Sequence, residues 1–138
     1  MNDAPVYELQ TTDTINATLD LKADTAIQQA SGTLSPYDTD FADSILHEVK
    51  DVSWSALSQG ITQEQFDTWK LTLKDLLTID TKPDYGMPHS LTWYFNQTGA
   101  DIKSAMPTGS ILAMDYTLRA TDALGDWSEQ KIHIDLYA

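Results

Sequence analysis

Alternation of apolar and polar side chains dominates this chain, and it predicts strands. In Thr14–Leu21, Ile15, Ala17, Leu19 and Leu21 fall on one face while Asn16, Thr18 and Asp20 fall on the other, the period of a half-buried strand. The same test puts Leu91, Trp93 and Phe95 together, lines Leu112, Met114, Tyr116, Leu118 and Ala120 along one face, and gathers Ile132, Ile134 and Leu136 in the last segment. Strands are also expected at Gln29–Ser35 and Ser44–Trp54, the second with apolar residues on both faces and therefore no readable register. One segment departs from this period. Thr62 followed three residues later by Gln65 has the form of a capping box, and Phe66, Trp69, Leu73 and Leu76 then recur at helical spacing. An amphipathic helix is thus expected around residues 62–77, laid on an edge or end of the sheets with its apolar face packed on the host domain. Thr81–Ser90, with two prolines and a glycine, then reads as a loop.

Short strands separated by turn signals describe an all-β fold, an immunoglobulin-like or cadherin-like Greek-key β-sandwich of about seven strands with one short inserted helix. A length of 138 residues allows one core. The expected division is a linker over residues 1–6, where Pro5 holds Ala4 extended, followed by one sandwich over residues 7–138. Tyr116, deep in the apolar face of its strand, is expected to form a tyrosine corner, its hydroxyl bonded to nearby backbone.

Charge narrows the partners. Twenty-one acidic against eight basic residues give a formal net charge of -13, so nucleic acid is excluded as a partner and cations are attracted. The chain has no cysteine, which removes disulfides and cysteine-ligated zinc. No apolar run approaches the length of a membrane span, so no membrane insertion is expected. His47, His89 and His133 fall on different elements without metal-ligand spacing, and no phosphate loop, dinucleotide fingerprint or nucleophile elbow occurs. The chain therefore reads as no enzyme, with His133 a solvated surface residue.

Three acidic segments remain: Asn2–Pro5 at the start, Ser35–Ser44, and Ala120–Ser128 between the last two strands. In an immunoglobulin-type sandwich these lie at one pole, which would bring together Asp3, Asp38, Asp40 and Asp122, with Asp43 and Asp126 nearby. Carboxylates that close repel unless a cation bridges them, and an all-oxygen cage suits Ca2+. Residues 38–49 do not form an EF-hand loop, since Ala42 takes a ligand position and Val49 stands where the glutamate belongs. The bland alternative is that these aspartates bond their own backbone in turns.

Gly32 to Leu34, the Asp38-x-Asp40 loop, Trp93-x-Phe95, Gly109 to Leu112, Tyr116 to Leu118, then Asp122, Gly125 and Ile132 to Leu136 form an ordered set. That set resembles the VCBS-type, cadherin-like repeats of large bacterial RTX adhesins. The resemblance implies an extender repeat of a secreted protein at the bacterial cell surface, exported by a type I system. It further implies Ca2+ held at the junctions with neighbouring repeats of the same polypeptide, and a monomer that rigidifies a tandem array for adhesion or biofilm formation. The final turn, Ala123-Leu124-Gly125-Asp126, is less glycine-rich than is usual in such repeats. The competing expectation is an adhesive module that binds a carbohydrate or protein on a host or other surface, with Trp127, just after the last loop, as its best exposed candidate.

Overall fold

The computed structural model describes residues 6–7, 15–20, 29–34, 36–37, 46–81, 91–96, 106–122 and 124–138. The long strands are β2 (Asn16–Asp20), β3 (Gln29–Leu34), β5 (Leu46–Trp54), β6 (Leu77–Thr81), β7 (Leu91–Asn96), β8 (Ile111–Thr121) and β9 (Trp127–Tyr137), with two short strands, β1 (Val6–Tyr7) and β4 (Pro36–Tyr37). A four-stranded sheet in the order β2-β9-β8-β5 faces a three-stranded sheet in the order β3-β7-β6, and β1 pairs with β4. This is an immunoglobulin-like β-sandwich. All pairings are antiparallel except β2 with β9, where Asn16 meets His133 and Asp20 meets Tyr137.

The alternating positions build the core as expected. Leu19, Leu91, Trp93, Phe95, Leu112, Met114, Tyr116, Leu118, Ala120, Ile132, Ile134 and Leu136 are all fully buried. β5 had no readable register for a structural reason: its pairing to β8 shifts between Val49 and Asp51. That bulge inserts Lys50, so Val49 pairs with Leu118 and Val52 with Tyr116, two inward residues three positions apart on one strand. Trp54 is half-buried at the end of β5, and its indole N–H donates to the Ile61 carbonyl at 3.2 Å.

The helix, α1, spans Gln63–Asp75. Its capping box is complete: the Thr62 hydroxyl accepts from the Gln65 N–H at 3.2 Å, and the Gln65 side chain accepts from the Thr62 N–H at 2.9 Å. Phe66 and Leu73 are buried in the core, with Trp69 and Leu76 packed partly against it, so the apolar face serves the host domain. The helix joins β5 to β6, crossing from one sheet to the other along their shared side. β6 was not expected. It begins directly after the helix cap with no turn residue between, and the alternation of Leu77 and Ile79 merges with the helical pattern before it.

Tyr116 is structural but makes no local corner. Its hydroxyl donates to the Leu73 carbonyl, 43 residues away in sequence, and its ring meets Phe95 edge-on with centroids 6.1 Å apart. The residue thus ties the last turn of α1 to the centre of β8.

Candidate functional site

Of the aspartates expected to hold a metal, Asp3, Asp38, Asp40 and Asp43 lie outside the described residues, and Asp122 lies within them. Asp122 is 6% exposed and opens the turn between β8 and β9. Its Oδ1 accepts from the Leu124 N–H at 2.9 Å and from the Asp126 N–H at 3.0 Å, while its own N–H donates to the Asp126 carbonyl at 2.9 Å. This is the backbone-bonding geometry of an aspartate shaping a turn. Gly125 takes a φ of 92° there, a left-handed conformation that glycine adopts without cost. Among the described residues no three histidine or acidic side chains are grouped as metal ligands.

Leu46 of β5 pairs with Thr121, immediately before Asp122, while Tyr37 pairs with Val6 in the separate two-stranded sheet. Trp127 opens β9 across from Thr121, on the outward alternation, and is 48% exposed. It does not cap the core. Arg119 stacks on its ring, with the guanidinium carbon 3.8 Å from the ring centroid, so one aromatic face is already occupied. The same guanidinium holds Glu129 through Nε at 3.0 Å and Nη2 at 2.8 Å.

Further along this outer face lies a group that sequence reasoning missed. His133 Nδ1 is 2.9 Å from Asp115 Oδ1, and His133 Nε2 is 2.8 Å from Asp135 Oδ1. His133 and Asp135 share a face by strand alternation, which is legible in the sequence, but Asp115 arrives only through the β8 to β9 register that pairs it with His133. The ring is part-buried rather than solvated, with 22% side-chain exposure. Two carboxylates can be satisfied at once only if both ring nitrogens carry protons, which is the imidazolium form. Burial by itself pulls the pKa down. The hydrogen bond to Asp115, the charges of both aspartates and the bond to Asp135 outweigh it, so His133 titrates above its ordinary value of 6.5.

The sign of the resulting pH dependence follows. With the folded pKa raised, the stabilising contribution of the pairing is complete below pH 6.5 and is lost as pH rises through the folded value. The expected result is an NMR titration midpoint for His133 above 6.5 that falls in Asp115→Asn and in Asp135→Asn. A midpoint at or below that of a free imidazole would contradict the arrangement.

No family model matches the chain, and no curated protein matches it. Among solved structures it is similar to the CooA pilin subunit from enterotoxigenic Escherichia coli, with a TM-score of 0.56 and 8% identity over 99% of each chain. A weaker similarity, TM-score 0.48 at 8% identity, links 97% of this chain to 56% of the periplasmic chaperone SfaE. At such identity the likeness to the pilin subunit is one of fold.

Proposed function

We propose that this chain is a non-enzymatic, calcium-binding structural repeat of a secreted bacterial surface adhesin, one that sets the stiffness of a tandem array. The observation that carries the reading is the pairing of Val6 with Tyr37 and of Leu46 with Thr121. Val6 follows Asp3 by three positions, Tyr37 and Leu46 bracket Asp38, Asp40 and Asp43, and Thr121 precedes Asp122. The described ends of the three acidic segments are thus tied to one another in pairs, in a chain of net charge -13.

In this reading Ca2+ neutralises the pole and draws the linker against the sandwich, while Asp122 shapes the turn beneath it. The parallel pairing of β2 with β9 suits a load-bearing unit. The first long strand and the last run in the same direction, so tension along the chain loads their ladder in shear.

A thermal melt in chelator, then in millimolar Ca2+, with Mg2+ as the control, tests the proposal. A calcium-specific rise in Tm is expected, reflecting a stabilisation of about 2.7 kcal/mol when Ca2+ stands at a hundred times its Kd. The rise should be lost when Asp38→Ala and Asp40→Ala are combined. No calcium-specific rise, or a rise that survives the double substitution, would overturn the assignment.

A further inference from the structure

The outer face of the three-stranded sheet differs chemically from that of the four-stranded sheet, which carries Glu48, Asp115, Arg119, Glu129, Lys131 and Asp135. Register places Ser31, Tyr94 and Thr78 in one row across β3, β7 and β6, with Thr33, Thr92 and Asp80 in the next row on the same face. Asp80 is the one charged residue in those two rows, in a protein of net charge -13. Tyr94 stands in the middle strand with 44% of its surface exposed, although its neighbours Trp93 and Phe95 are fully buried on the other face. Beside it opens a cavity of about 500 Å³ lined by Ala30, Ser31, Thr78, Tyr94, Phe95 and Asn96.

We propose that this groove binds a short neutral oligosaccharide, with Tyr94 as its stacking platform. The lining selects the ligand class. The hydroxyls of Ser31 and Thr78 can both donate and accept hydrogen bonds, which matches sugar hydroxyls. An exposed aromatic ring gives the apolar C–H face of a pyranose a surface to cover, combining an apolar body with polar surroundings as small-molecule sites do. The volume falls within the range of such sites. An anionic glycan or a nucleic acid would be repelled by the net charge, and a cationic ligand would find few carboxylates in these rows. A greasy peptide would leave the Ser31 and Thr78 hydroxyls unpaired. The site lies on the opposite sheet from Trp127, whose ring Arg119 already covers on one face.

This inference goes beyond the structural role proposed above and does not depend on Ca2+. The test is 15N NMR of the protein, in chelator and in Ca2+, with lactose, maltotriose and cellotriose as neutral probes and sialyllactose as the charged one. At least one neutral probe is expected to shift the amides of Ser31, Thr78, Tyr94 and Asn96, with weaker binding of sialyllactose. Tyr94→Ala should weaken that binding roughly tenfold or more, while Tyr94→Phe, which keeps the ring, stays within about threefold. An unchanged Tm in both variants would show that the sandwich is intact. The inference is overturned if no neutral probe shifts these amides at concentrations on the order of 10 mM, a Kd beyond which no useful recognition remains. It is equally overturned if the shifts centre on Trp127, or if folded Tyr94→Ala binds as the wild type does. A melt without a calcium response would leave the sugar result standing, so the two proposals fail separately.

Discussion

Replacing Trp93 with alanine is expected to cost about 3–5 kcal/mol, as for other large aromatic residues truncated in a core. The indole is fully buried in β7 and pairs directly with Gly32 of β3. A Cβ placed on Gly32 would lie 2.5 Å from Trp93 Cζ2, 2.6 Å from Cε2 and 2.7 Å from Nε1. Gly32 is therefore a glycine because the indole lies across it. Its partner cannot yield cheaply, since a ring packed on all sides has no open rotamer to move into. Gly32→Ala alone should cost about 1–3 kcal/mol through overpacking. In the Trp93→Ala background the same change should be neutral or slightly stabilising, because the clash is gone and alanine loses less backbone freedom on folding than glycine does. The cycle, measured by urea denaturation at constant m, should give a coupling of about 1–3 kcal/mol. Additive costs would mean that the indole does not lie over Gly32.

Tyr116→Ala is expected to destabilise by a similar amount, about 3–5 kcal/mol, since it empties the fully buried centre of β8 and removes the edge contact with Phe95. Tyr116→Phe isolates the hydroxyl. The Leu73 carbonyl also accepts from the Leu76 N–H at 3.2 Å, so it keeps one partner when the phenol is removed, and the cost should be about 1 kcal/mol. The readout particular to this bond is its position. Hydrogen exchange at the C-terminal turn of α1 should quicken in Tyr116→Phe while the β8 to β9 ladder keeps its protection. Uniform quickening, or none at the helix end, would deny that the hydroxyl ties the helix down. Burial also pushes the Tyr116 phenol far above its ordinary value of 10.0. The unfolded chain ionises this group above that pH and the folded chain does not, so stability falls as pH rises past it. In an ultraviolet titration Tyr116 should ionise only as the protein unfolds in alkali.

Much of the sandwich is visible in the order of residues. The inward faces of β2, β7, β8 and β9 follow from alternation because every second residue of each lines the core, although Ala113 and Thr117 on the outer side of β8 are buried as well. The helix follows from Thr62, Gln65 and the spacing of Phe66, Trp69 and Leu73, because a capping box and a 3.6-residue period are both local properties. β6 escaped since a five-residue strand following a helix without a turn residue offers too little alternation to break the helical count. The bulge in β5 escaped because an inserted residue changes the phase of alternation, and only the partner strand reveals where.

The sites divide in the same way. That Asp122 shapes a turn was available from local chemistry, and the acidic segments were legible as composition. Asp3, Asp38, Asp40 and Asp43 fall outside the described residues, so their ligation of Ca2+ rests on the melt and the paired substitution. The exposure of Trp127 was readable from its place after a loop, but the guanidinium stacked on it was not: Arg119 lies eight residues earlier, on the neighbouring strand.

The sequence by itself determined which side chains of β2, β7, β8 and β9 turn inward, where α1 begins, and that the surface would be acidic, because periodicity, capping and charge act over a few residues or over the whole chain. Tertiary structure alone decided that Asp115 reaches His133 across the β8 to β9 register, that Tyr116 reaches the end of α1, and that Ser31, Tyr94 and Thr78 form one row. Those meetings depend on strand register and on the packing of distant elements, which place residues 16 to 63 positions apart within contact and leave no mark on any single stretch of chain.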